Sequence, residues 1–133
     1  MELNSDLHDD PNIPNDEPLY RAIHPNNLPG GNISSSTFIS RSDPHTSVDR
    51  SSLCTPQQTL QRFPHYAGVA ELLTRTVREW TPGVASAPEP ENPAHALILR
   101  DLSLSNAKWK EVARKLAKAC KWIILPSIPS PPT

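Results

Sequence analysis

Four side chains of the kinds that hold anions or move protons stand out by type and setting: Arg21, His24, Asp49 and His95. Arg21 and His24 lie in Leu19-Tyr20-Arg21-Ala22-Ile23-His24-Pro25, where apolar and polar residues alternate and Pro18 and Pro25 bound the run. That pattern predicts a short strand with both side chains near its end. A guanidinium there suits an anion clamp, and an imidazole that titrates near neutrality suits a general acid or base. Asp49, in Ser47-Val48-Asp49, is placed to orient a histidine; the competing reading is a carboxylate making local backbone bonds at a turn. His95 follows Asn92-Pro93-Ala94 and opens the apolar run Ala96-Leu97-Ile98-Leu99. A lone histidine in such a run is more often a hydrogen-bonded core group than a catalyst. His24, Asp49 and His95 are scattered without metal-ligand spacing, so no metal site is assigned, and no pattern names a cofactor.

The elements that must position these groups follow from periodicity and punctuation. Pro25 to Asn32 is a cluster of turn formers that reverses the chain, and Ile33 to Ile39 reads as a second extended piece carrying a serine run. No Gly-x-Ser-x-Gly elbow or P-loop surrounds those serines. Thr55-Pro56-Gln57-Gln58 is a capping box with proline at the first helical position, so a short helix starts there, with Leu60 and Phe63 expected toward the core. Residues 68–80 read as a strand passing into a helix near Thr74, and 84–86 as a further strand. Ala87 to Pro93 reads as a stiff, polyproline-like connector. With Ser105 as N-cap, Ala107, Trp109, Val112, Ala113, Leu116, Ala117, Ala119 and Cys120 form one apolar stripe of a long helix that should pack on a sheet. Lys121 to Leu125 then has strand composition.

Composition narrows the classes. The 133 residues suit one domain, with hydrophobic content of 36%, charged content of 20%, and 16 prolines against 4 glycines, which favours rigid connections and many loops. No apolar window is long enough for a membrane span and the N-terminus is polar, so a cytoplasmic protein is expected, with Cys54 and Cys120 as free thiols. Charge is segregated: residues 1–18 carry −6 and residues 100–121 carry +5. The first reads as a disordered acidic leader, or as a tail that covers the basic helix. The second offers Lys108, Lys115 and Lys118 as phosphate-binding residues, against the plainer reading of a solvated helix face.

Taken together, the Leu-Tyr-Arg-x-Ile-His-Pro, Ser-Val-Asp and Asn-Pro-Ala-His segments, the 33–38 serine run and the Ala113-Arg114-Lys115-Leu116-Ala117 helix resemble a recurring pattern in small uncharacterised bacterial proteins. A looser similarity is to the opening of ADP-ribosyltransferase-like folds, where an aromatic-Arg strand precedes a Ser/Thr-rich one. The expected organisation is an acidic leader (1–18), a single α+β domain with a short-stranded mixed sheet and a long amphipathic C-terminal helix (19–125), and a Pro-rich disordered tail (126–133). The leading functional expectation is a non-catalytic binding or regulatory module with a protein partner, within a bacterial multi-protein system. The alternatives are a small enzyme acting on a nucleotide or other phosphate-bearing substrate through Arg21, His24, Asp49 and His95, and nucleic-acid binding through the basic helix. No membrane partner is expected, and the oligomeric state is left open.

Overall fold

Extended segments form in this chain where apolar residues alternate between turn formers. The computed structural model describes residues 7–40 and 43–126, and six strands lie among them. They are β1 (Pro18–Ile23), β2 (Thr46–Arg50), β3 (Gly68–Leu73), β4 (Val84–Ser86), β5 (His95–Ile98) and β6 (Lys121–Ile124). Helices α1 (Pro56–Gln61), α2 (Thr74–Trp80) and α3 (Asn106–Ala119) complete an α+β fold. The sheet order is β4-β5-β2-β1-β3-β6, with every neighbouring pair antiparallel. This corrects the mixed sheet expected from sequence: each strand lies beside one running the other way, the arrangement that turn-rich connections favour.

The two faces of the sheet are covered differently. Leu19, Val48, Leu72, Ala96 and Ile98 project to one face and form the core with Ile13, Phe38, Val77 and the α3 residues Ala113, Leu116 and Ala117. α3 starts where Ser105 Oγ accepts from the Lys108 amide at 3.2 Å, and it buries Trp109, Ala113, Leu116 and Ala117, a stripe at helical spacing. Ala107, expected in that stripe, is exposed. Trp109 Nε1 donates to the Phe38 carbonyl at 3.1 Å, so the buried indole is not left unpaired. The other face is partly covered by α1. Its capping box is complete, with the Gln58 amide donating to Thr55 Oγ1 and the Thr55 amide to Gln58 Oε1. The residue it buries is Thr59; Phe63 is exposed, contrary to expectation, and packs on Tyr66.

Three segments depart from the sequence reading, each for a local reason. Ser35–Phe38 is a 3-10 turn where a strand was expected, because the Ser34, Ser36 and Asn27 side chains bond one another and compete with a strand ladder. Residues 87–95 form a tight hairpin connection where an extended connector was expected: the Glu89 amide donates to the Asn92 carbonyl, and the Asn92 amide to that of Glu89, both at 3.0 Å. The third is the leader. Residues 1–6 lie outside the described residues, as do 127–133 of the expected Pro-rich tail. From residue 7 the expected disorder gives way to packing: Ile13 is fully buried in the core, and Asp9 Oδ1 accepts from Arg78 Nε at 3.0 Å and from the Val84 amide at 2.9 Å. Gly83 admits this contact, since a Cβ there would collide with the Asp9 carboxylate, and its φ of +128° is one that glycine adopts readily. Of the described acids of the leader, Asp9 pairs with Arg78 and Glu17 with Arg50, and no ion pair joins any of them to α3.

Glu17 ties this segment to the sheet. Its carboxylate accepts from Arg50 Nε and Nη2, at 3.1 and 3.0 Å, and from the Ser52 hydroxyl at 2.9 Å. Burial works to raise its pKa, but the bonds from Arg50 and Ser52 prevail and hold it below the usual 4.5. A carboxyl depressed on folding contributes stability that is present above the unfolded value and lost as pH falls through the folded one. Urea unfolding as a function of pH should therefore show a decline below about pH 4.5 that is shallower in Glu17→Gln, with the variant already less stable at pH 7; identical acid limbs would contradict this.

Candidate functional site

Strand register places the polar groups. Tyr20 lies opposite Asp49, and Asp49 opposite His95, so the three form a row across β1, β2 and β5. Val48 belongs to the core, so its neighbours Ser47 and Asp49 face the other side, the side of α1. A cavity of about 240 Å³ opens there between these strands, α1 and the β4–β5 turn. Arg21, Asp49 and His95 all line it; His24 does not. His24 instead caps the 3-10 turn Pro25–Asn27, its Nδ1 accepting from the Asn26 amide at 3.0 Å, and meets the Tyr66 ring edge to face.

Asp49 is buried and fully engaged. Oδ2 accepts from Thr59 Oγ1 at 2.7 Å and from Arg62 Nη1, and Oδ1 accepts from Asn92 Nδ2 at 2.8 Å. One carboxylate thus joins β2 to the end of α1 and to the β4–β5 turn. It makes no bond to either ring nitrogen of His95, which corrects the expected role of orienting a histidine.

Arg21 is likewise spent on the fold. The Arg50 amide bonds to the Ala94 carbonyl, just before β5, so by alternation the Ser47 carbonyl points toward β1. The β1–β2 ladder stops at Tyr20 and Asp49, and Arg21 Nη1 donates to the Ser47 carbonyl at 2.9 Å while Nη2 donates to the Thr37 carbonyl at 3.1 Å. The guanidinium therefore fills the gap where the two strands part. Burial lowers its pKa from the usual arginine value, its Nε is buried without a partner, and no ion pair to a carboxylate is found for it among the described residues. Its two engaged nitrogens are held by main chain, which corrects its expected use as a free anion clamp.

His95 keeps more chemical freedom. The Ala87 carbonyl, 2.8 Å from Nδ1, can only accept, so Nδ1 carries a hydrogen, and the neutral ring presents a lone pair at Nε2. Ser47 Oγ lies 3.1 Å from that nitrogen and donates to it. At the cavity mouth Glu89 and Glu91 are exposed, and neither carboxylate has a hydrogen bond or ion pair among the described residues. Ser47 and Asn92 were visible within the two motifs that carry Asp49 and His95. Arg62, Glu89 and Glu91 were missed, because nothing local marks a helix-end arginine or a turn glutamate as neighbours of a strand aspartate.

The lysines proposed for binding separate in space. Lys108, Lys115 and Lys118 are all exposed on α3. Lys115 Nζ sits 3.9 Å from the centroid of the Trp80 ring, a cation–π contact, while Lys118 borders a second cleft. Both cysteines are free, and among the described residues no three His, Cys, Asp or Glu side chains are grouped to hold a metal ion. No protein-family model, curated protein or solved structure gives a significant match to the chain.

Asp49→Ala leaves three buried or half-buried donors facing a gap, which should cost about 3 kcal/mol in denaturant unfolding, whereas Ser47→Ala should cost less than about 1 kcal/mol. Equal effects of the two substitutions would show that the carboxylate is not the tie described above.

Proposed function

We propose that the protein is a non-catalytic binding module whose α1-face cavity receives a cationic side chain of a partner protein. The observation that carries this reading is the contrast within the cavity. Asp49 and Arg21 have their bonding spent on the fold, while Glu89 and Glu91 at the mouth have no partner among the described residues. Asp49 and Arg62 neutralise each other, and of the charges that remain in the lining Glu89 and Glu91 outweigh Arg21, so the cavity is net negative. Exposed Phe63 and half-buried Tyr20 supply apolar walls for the stem of a lysine or arginine. A cytoplasmic setting accords with the two free thiols and with the absence, among the described residues, of any helix long and apolar enough to cross a membrane.

A second reading, a small enzyme acting on a phosphate-bearing substrate, rests on the Ser47–His95 contact. His95 Nε2 is within reach to take the Ser47 proton, and the Ala87 carbonyl fixes the tautomer that this requires. The acidic mouth opposes a phosphate, and so it favours the binding reading.

An amide chemical-shift titration separates the two. The peptide acetyl-Gly-Gly-Arg-Gly-Gly-amide should perturb the amides of Ser47, Asn92 and His95, its glutamate counterpart should not, and Glu89→Gln with Glu91→Gln should weaken the effect at least about fivefold, as for the loss of a charge pair. Hydrolysis of bis(p-nitrophenyl) phosphate that disappears in Ser47→Ala and in His95→Ala, without any response to the arginine peptide, would overturn the binding reading in favour of the enzyme.

A further inference from the structure

α3 carries five cations, Lys108, Lys110, Arg114, Lys115 and Lys118, and no carboxylate pairs with any of them among the described residues. Arg114 and Lys118 stand one turn apart on its exposed side, and neither has an ion pair among the described residues. Both border a cleft of about 600 Å³ between α3, the segment from Gly31 to Ser35, and the edge strand β6. No acidic side chain lines it. Trp122 of β6 is half-buried and gives the cleft an aromatic wall. On the opposite wall the Ser34 hydroxyl is tied up with Ser36, which itself donates to Asn27, whereas the Ser35 hydroxyl has no partner among the described residues. Cys120 lines the same cleft; burial pushes its thiol up to about 12, and the field of Arg21 works in the other direction. The high value keeps the thiol protonated and unreactive at neutral pH.

We propose that this cleft binds a nucleotide unit, with its phosphate held by Arg114, Lys118 and the Ser35 hydroxyl and its base against Trp122. The combination selects the ligand class. Cations without a carboxylate call for an anion, and an aromatic wall beside them calls for an anion joined to a planar group, which is how proteins hold nucleotides without reading their sequence. The volume falls within the roughly 300–1,000 Å³ of small-molecule sites. The proposal deepens the reading of the basic helix and relocates it. The platform missing from the helix itself comes from β6, Lys118 takes part, and Lys108 and Lys115 do not line the cleft. It is independent of the α1-face cavity, whose residues are different ones.

The shared chemistry has two sources, a free nucleotide or a nucleotide within a single strand, and one experiment distinguishes them. The full chain is titrated into fluorescein-labelled (dT)8 at 50 and 200 mM salt, with AMP as competitor. Saturable binding is expected, weaker at the higher salt by about five- to twentyfold for two or three phosphate contacts. Arg114→Glu with Lys118→Glu, both exposed and so tolerated by the fold, should weaken it at least tenfold. Trp122→Leu should weaken it about fivefold or more, Trp122→Tyr should retain it, and the Glu89→Gln/Glu91→Gln variant should bind as the unchanged chain does. AMP that binds as tightly as the oligonucleotide identifies a free nucleotide as the ligand; a clear preference for (dT)8 identifies a single strand. Absence of saturable binding of either probe up to millimolar concentration, or binding that survives the double charge reversal, overturns the proposal.

Discussion

A buried arginine with no carboxylate partner among the described residues is the constraint around which this sheet is built. Desolvating a guanidinium is costly, and Arg21 recovers part of that cost only by donating to the Ser47 and Thr37 carbonyls. Those two bonds force the geometry. β1 and β2 pair at Leu19–Arg50 and Tyr20–Asp49 and then part, with the side chain taking the place of further ladder bonds, and the 3-10 turn at Ser35–Phe38 is pulled onto the sheet beneath α3. The gap between the strands is what leaves room for a cavity on the α1 face. On the other side, the same charge acts on Cys120 at the edge of the α3 cleft.

A second tie closes the α1 face, and it is of the opposite kind. Asp49 accepts from three side-chain donors, and the elements they come from, α1 with its C-terminal Arg62 and the β4–β5 turn, are those that frame the cavity. The segregated charges of the chain resolve in the same local manner. Glu17 and Asp9 of the leader are paired with Arg50 and Arg78, 33 residues and 69 residues away in sequence, and not with α3. Among the described residues the basic helix keeps all five of its cations without an ion pair, and the β4–β5 turn its two glutamates. Complementary surfaces therefore lie at different places on one small domain.

What sequence reasoning recovered was set by local physics. The Thr55–Gln58 capping box, the Ser105 cap with its amphipathic helix, and the alternation of β1 each need only a few neighbouring residues, and each is legible. Asp49 and His95 drew attention because polar groups within apolar strands must find partners, but which partners is a long-range matter. Thr59, Arg62 and Asn92 lie 10, 13 and 43 residues from Asp49, and no periodicity links them. The 33–39 segment was misread because its β-branched and aromatic residues suit a strand, while hydrogen bonds among side chains decide its turn. Residues 7–18 of the leader were misread because composition averages over a single buried isoleucine, and Ile13 anchors them together with the bonds from Arg78 to Asp9 and the Asp10 carbonyl. The tryptophan platform beside the basic helix was hidden because Trp122 belongs to a different element.

The most direct test is the unfolding free energy of Arg21→Ala, measured by urea denaturation. If the guanidinium holds the parted strands, its removal leaves two carbonyls without their donors and empties the space between β1 and β2, and a loss of about 2–4 kcal/mol is predicted. A change below about 0.5 kcal/mol, the size of an ordinary surface substitution, would contradict the account and return Arg21 to the role of an anion clamp.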